Sequence, residues 1–437
     1  MKNYLEIFNM MKGKIVHKNR YRFVVAGMSS LLFALATTQG VLAATGGPKD
    51  SVITLQSPIL NSNNTWDATG NQQMADSWVA KGWFGSGLLF QVSFAPVGST
   101  INLTYNVRDK SGKPLISTPV NLRVNKGYSE AASIVEVDGI RTKGVDRPPF
   151  DQANVIHRTD YFGNVTFAMK NLDLESSAEP EPASYTEKPI FSEDKLDRLH
   201  AQVLPEVNSE PADHSVISEF HYFVPKSSIE VPSTKPTLTL ITPKLTEANS
   251  VIDKVRNIRQ AYAPLGGDIV VVYKVTGDDG RFAPGKVVKL QINGGKSTLQ
   301  STSDAFGFVA FTLKNSDTKP NSAPSSGISP MPKSSSSFAT LKPEVVGATS
   351  TASDEVEFHY FRGISTSVAK VGKSFTLSIA IAGAPGKSAA IEVTGAKSKK
   401  VKLNSAFQVV PVKVSGGTKN VVVTIDGKKY SSKVKVK

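Results

Sequence analysis

Residues 94–127, FAPVGSTINLTYNVRDKSGKPLISTPVNLRVNKG, and residues 262–295, YAPLGGDIVVVYKVTGDDGRFAPGKVVKLQINGG, align without a gap over 34 positions with eleven identities. In the first copy Ile101, Leu103, Tyr105 and Val107 alternate with Asn102, Thr104 and Asn106, and in the second Ile269, Val271, Tyr273 and Val275 take the apolar places. A period of two marks a strand with one face toward a core. A turn follows in each copy, Asp109 to Gly112 and Gly277 to Gly280, rich in residues that tolerate positive φ. A second alternating run comes next, Val120, Leu122 and Val124 against Val288, Leu290 and Ile292.

The repeat extends outward from this match. Asp160-Tyr161-Phe162-Gly163 returns as Asp304-Ala305-Phe306-Gly307, and Phe220-His221-Tyr222-Phe223 as Phe358-His359-Tyr360-Phe361. The changing offset between copies makes copy one longer by 17, 24 and 6 residues at three places. Insertions of that size belong in loops, because one inside a strand turns every later side chain to the wrong face. Short strands at regular spacing, separated by turns, predict an all-β chain of antiparallel sandwiches. One exception is expected: Val251, Val255 and Ile258 stand at helical spacing, which predicts a short helix within Thr246–Ala261. Residues 176–189 and 319–337, rich in Ser, Pro and charge, are expected to be long loops.

The ordered set of turns and strands resembles the bacterial Ig-like domains of the invasin and intimin type. Its elements are Asp109 to Gly112, Val120 to Val124, Asn125 to Gly127 and Asp160 to Phe167, with Asp279-Gly280, Val288 to Ile292, Asn293 to Gly295 and Asp304 to Phe311 in copy two. Both copies are longer than the family's usual domain, and copy one carries a large insertion near Tyr128 to His157. The resemblance implies tandem Ig-like β-sandwich domains acting as spacers or adhesive modules on a bacterial surface. It implies no catalytic residues.

Four segments are expected. Residues 1–43 read as a signal peptide, with six cations against Glu6, the apolar run Phe23 to Ala36, and Val41-Leu42-Ala43 before cleavage. That run is too short to span a bilayer, so no membrane span is expected after cleavage. Residues 44–230 form the first repeat with its insertions, 231–362 the second, and 363–437 a small C-terminal β-sandwich. An exported chain meets conditions that favour disulfides, yet this one has no cysteine, so burial must stabilise it.

Charge is distributed unevenly. Of the net +14, residues 1–43 hold +5, and residues 363–437 hold fourteen Lys against Glu392 and Asp426, which leaves −3 for residues 44–362. Basic character confined to the leader and the last domain argues against a nucleic-acid partner and for a cell-envelope polymer or a membrane surface. The candidate polymer-binding residues are Lys397, Lys399, Lys400, Lys402, Lys428, Lys429, Lys433 and Lys435. Lysine without arginine suits diffuse charge attraction better than bidentate recognition, although lysine also protects edge strands from pairing.

Trp66, Trp78 and Trp83 all lie in the part of copy one that is extended relative to copy two. Their aromatic faces are candidates for stacking on a surface glycan, which defines the rival reading, a secreted carbohydrate-binding protein. The alternative for these residues is filling the junction between insertion and sandwich. Self-assembly is a further possibility that the pattern leaves open. Histidines 157, 200, 214, 221 and 359 show no metal-ligand spacing and are expected at sheet edges or interfaces, and Asp278-Asp279 is expected to be a plain turn. With no nucleophile elbow, no cysteine and no phosphate-binding glycine loop, no enzyme activity, cofactor or metal is expected.

Overall fold

The computed structural model describes residues 51–59, 90–109, 112–124, 135–141, 153–173, 196–203, 213–214, 217–223, 234–247, 249–314, 321–322, 338–371, 374–382, 386–404 and 407–436. The expected leader, Trp66, Trp78 and Trp83, the loop 176–189 and most of 319–337 lie outside these residues. Every regular element among the described residues is a strand. None is a helix long and apolar enough to cross a membrane.

In the first repeat the strands are β1 (Ser51–Ser57), β2 (Phe90–Pro96), β3 (Thr100–Asp109), β4 (Pro119–Val124), β5 (Val135–Val137) and β6 (Ile140–Arg141). They continue with β7 (Ala153–Arg158), β8 (Asn164–Asn171), β9 (Leu196–Val203), β10 (Asp213–His214) and β11 (Ile217–Phe223). One sheet runs β1-β3-β8-β5-β6 and the other β2-β11-β9-β4-β7.

The second repeat supplies β12 (Thr237–Thr242), β13 (Ser250–Asp253), β14 (Ile258–Pro264), β15 (Asp268–Thr276), β16 (Val287–Ile292) and β17 (Ser297–Thr302). It continues with β18 (Phe308–Lys314), β19 (Asn321–Ser322), β20 (Phe338–Val345), β21 (Ala352–Ser353) and β22 (Val356–Val371). Its strand order repeats that of the first: β12-β15-β18 matches β1-β3-β8, and β14-β22-β20-β16-β17 matches β2-β11-β9-β4-β7. The match reaches detail, since β2 runs parallel to β11 as β14 does to β22, and β1 and β12 each slip register after Leu55 and Leu240. The chain is all-β and built as Ig-like sandwiches.

Two sequence expectations change. The helix expected within Thr246–Ala261 is a hairpin, β13 pairing antiparallel with β14 from Ser250↔Ala261 to Asp253↔Ile258. Its turn is closed by Asp253, whose Oδ1 accepts from Val255 N at 3.0 Å and Arg256 N at 3.3 Å, and by Asn257 at φ 55°. Val255, one of the three residues at helical spacing, is 94% exposed, so the periodicity had no core behind it. The second insertion of copy one is also more than loop: it contains the hairpin β5–β6, which extends the sheet beyond β8.

The repeats pack on each other through a reciprocal pair of contacts. Asp160 uses Oδ1 to accept from Phe162 N and Asn164 N of its own turn, both at 2.8 Å, and Oδ2 to accept from Val270 N of the other repeat at 2.9 Å. Asp304 does the same with Phe306 N and Phe308 N at 2.9 and 2.8 Å, and with Asn102 N across the interface at 2.6 Å. Val270 and Asn102 are alignment counterparts. The rings follow suit: Phe162 meets Phe358 at 5.8 Å and its counterpart Phe306 meets Phe220 at 5.7 Å. Each turn therefore places a phenylalanine in the core cluster of the other repeat. This is the self-complementary logic of a two-fold dimer interface, realised within one chain.

That contact changes the meaning of the polar positions on β3. Thr104 and Asn106 are buried although they lie opposite the core face, on a sheet against which the other repeat packs, β18 on β3 and β15 on β8. Asn102 donates through Nδ2 to Phe308 O at 3.0 Å, and Asn106 donates to Phe162 O at 3.0 Å. Burying such amides without partners is costly, and here the side chains named have them.

The remaining strands are β23 (Ser374–Ala382), β24 (Ser388–Val393), β25 (Lys399–Lys402), β26 (Phe407–Val414), β27 (Gly417–Ile425) and β28 (Lys428–Val436). One layer is the end of β22 with β23 and β26, the other β25-β24-β27-β28, and a core of Leu377, Ile379, Ile391, Val421, Val423 and their neighbours lies between. β22 belongs to both the second repeat and this sandwich. It pairs with β20 up to His359, with β14 up to Phe361 and with β23 from Gly363 onward, so the boundary expected at residue 363 falls inside a continuous strand.

Candidate functional site

The eight lysines singled out from the sequence divide by strand alternation. On β24, β27 and β28 the core takes Ala389, Ile391, Val393, Val421, Val423, Ile425, Val434 and Val436. The opposite face therefore carries Lys400 and Lys402 on β25, and Lys429, Lys433 and Lys435 on β28. Register puts Lys400 beside Ala390, Ala390 beside Thr424, and Thr424 beside Lys429, so two lysines close one row from opposite edges. Asn420 pairs with Lys433 and Thr418 with Lys435 in further rows. Lys397, Lys399 and Lys428 do not share this face: Lys397 precedes β25, Lys399 alternates with the core side, and Lys428 lies over the Tyr430 ring at 5.4 Å.

Counter-charge on this face is scarce. Among the described residues of the domain one ion pair forms, Lys387 with Asp426 at 2.9 Å, and it sits at the β27–β28 turn. Glu392 is the single acid on the face, in the row of Val422 and Ser431, where β28 carries no lysine. Five exposed ammonium groups against one carboxylate make a field of one sign.

A second cluster was not signalled by spacing. On the outer face of the second repeat's larger sheet, Glu357 of β22 is flanked in register by Gln260 of β14 and Thr340 of β20. Its Oε1 accepts from Gln260 Nε2 at 2.7 Å, and Oε2 from Thr340 Oγ1 at 2.9 Å. Arg256 reaches both oxygens, at 2.9 and 3.2 Å, and His359 Nε2 lies 2.7 Å from Oε1. Burial alone would raise this carboxyl, but the bonds from His359, Arg256 and Thr340 outweigh it and hold Glu357 well below the usual carboxylate range. An anion held that firmly makes a poor general base or nucleophile, so the cluster ties β13–β14, β20 and β22 together. His359, expected at a sheet edge or interface, lies on a central strand between β14 and β20, stacked on Phe338 at 5.7 Å. Its signal was the shared Glu-Phe-His-Tyr-Phe of the two copies, which shows the position but not the partners.

No group of three or more potential metal-ligating side chains occurs among the described residues. Asp278 accepts from Thr234 Oγ1 at 3.0 Å and Lys235 N at 2.9 Å, which ties its turn to the segment before β12.

No protein-family model and no curated protein matches the chain. Among solved structures it is similar to a 1.5-MDa bacterial ice-binding adhesin, with 13% identity over 78% of this chain and 91% of that one and a TM-score of 0.15. It is similar to invasin, a bacterial integrin-binding protein, with 14% identity, 78% and 58% coverage and a TM-score of 0.17. A third neighbour is the D0–D1 region of intimin, with 16% identity, 61% and 94% coverage and a TM-score of 0.17. With similarity this low, the fold rests on the strand order of the chain itself.

Proposed function

We propose that the protein is an exported, non-enzymatic surface component, held on an anionic envelope polymer by its C-terminal sandwich, with the two clasped repeats serving as spacer or adhesive modules. The observation that carries this reading is the outer face of β25-β24-β27-β28, where five lysines face one acid. Support for a scaffold comes from the buried carboxylates. Asp160, Asp304 and Glu357 are each consumed by hydrogen bonds that join strands or repeats. Attraction by exposed lysines is long-ranged and screened by salt, since the Debye length falls from about 8 Å at physiological ionic strength to about 3 Å at 1 M.

The test is fractionation of the producing cells followed by a salt wash. The protein is expected in the envelope fraction and is expected to leave it at about 1 M salt. Recovery in the medium, or an envelope-bound fraction indifferent to salt, contradicts the proposal.

A further inference from the structure

We propose that the outer face of β25-β24-β27-β28 is a trough for a linear polymer bearing one anionic group per repeat unit, with lysine rails on its two edge strands and between them a floor of short side chains whose one charge is Glu392. This rests on the polymer-retention reading above and makes it specific. The rails are Lys400 and Lys402 on β25, and Lys429, Lys433 and Lys435 on β28, each exposed. The two edge strands are three strand spacings apart, roughly 14 Å. Between them Ser388, Ala390, Asn420, Val422 and Thr424 are short and uncharged, and Glu392 is the one charged residue of the floor. Long side chains along both margins of a floor of short ones leave a channel wide enough for one extended chain.

Spacing and composition select the ligand class. Lys400 and Lys402, like Lys433 and Lys435, are two residues apart on one face of a strand, roughly 7 Å. A polymer with an anionic group at about that interval meets successive lysines without bending. The floor offers hydroxyl and amide groups suited to polyol or sugar hydrogen bonds. It has no aromatic ring on which a base could stack and no arginine to grip a phosphate in bidentate fashion, which disfavours nucleic acid. Edge protection accounts for lysine on β25 and β28 but not for its bias to one face, where five lysines stand against two, Lys399 and Lys428, on the other. Glu392 stands on the floor and opposes an anion.

The experiment measures binding of the full chain to immobilised poly(glycerol phosphate) at physiological salt. It compares K400Q/K402Q/K429Q/K433Q/K435Q with the charge-matched K387Q/K397Q/K399Q/K413Q/K428Q and with E392Q. All three variants are first checked for an unchanged melting temperature, and single lysine substitutions replace any set that fails it. The trough predicts a loss of tenfold or more for the face set, twofold or less for the control set, and tighter binding for E392Q. Equal losses in the two sets overturn the trough while leaving charge-based retention standing. No binding by the unaltered chain overturns both.

Discussion

At the scale of single residues, the reciprocal clasp makes the sharpest demands. Gly163 and Gly307 hold φ of 80° and 76°, and a Cβ there would stand 2.5 Å from Val107 O and 2.8 Å from Val275 O. Ala at either position is expected to destabilise by about 3 kcal/mol or more, from left-handed strain plus a clash with backbone, measurable by denaturant unfolding. Tyr105 and Tyr273, counterparts in the repeat, are fully buried, and among the described residues neither hydroxyl has a partner. Phe at either position is expected to be neutral or to stabilise by about 1 kcal/mol. A clear loss of stability would show that the hydroxyl has a partner. Burial pushes Asp160 and Asp304 up to about 7, with the backbone N–H bonds pulling the other way. Because each binds a proton near pH 7 in the folded state and only near pH 4 when unfolded, the native state holds more protons between those values. Stability therefore falls as pH rises from about 4 to about 7. D160N and D304N are expected to flatten that slope in a pH series of thermal melts and to cost about 1–3 kcal/mol, since an amide nitrogen then faces Val270 N or Asn102 N. The Asp-x-Phe-Gly turns were legible in the sequence as turns. Their partners were not, because local pattern reveals a turn's φ preference but not which strand of another copy its side chain meets.

At the scale of elements, two-residue alternation identified β3, β4, β8, β15, β16 and β18 correctly, since a strand with a core face leaves that period in its composition. It failed at β13–β14, where Val251, Val255 and Ile258 fell at helical intervals by accident of a hairpin whose turn residue Val255 is solvent-exposed. Alternation put Thr104 and Asn106 on the face away from the core without showing that this face is covered, because polar residues that are paired inside an interface look the same as residues facing water. Glu357 joins three elements through five hydrogen bonds, and E357Q leaves a guanidinium and an imidazole without their anion. A loss of about 2–3 kcal/mol is expected, reduced from the fully buried case because Arg256 is half exposed. Unfolding that is unchanged would mean the network is decorative. The depressed Glu357 contributes stability above its unfolded value near pH 4.5 and loses it as pH falls further, opposite in sign to the aspartates. The continuity of β22 predicts that a Gly-Ser-Gly-Ser insertion after Arg362 separates unfolding of the C-terminal sandwich from that of the repeats. Calorimetry would show one transition becoming two.

At the scale of the whole molecule, the duplication does more than lengthen the chain. Each repeat completes the other, with counterpart aspartates, counterpart phenylalanines and counterpart backbone donors exchanged across one interface, and β22 carries the second repeat into the lysine-faced sandwich. The existence of two related sandwiches was legible from the 34-residue match, and the basic end from its lysine count. Their clasp was not, because it is encoded in pairs of positions from 86 to 206 residues apart that no local period connects. The chain has no cysteine, so a single engineered pair reports on that clasp without interference. Ala305 N donates to Thr100 O at 3.0 Å across the interface, so the two backbones adjoin there and a cysteine pair at these positions probes the contact. In the T100C/A305C chain, mild oxidation is predicted to consume both thiols in an intramolecular bond at every protein concentration. Two thiols that stay open to an alkylating reagent in the folded protein would contradict the reciprocal pairing of the repeats.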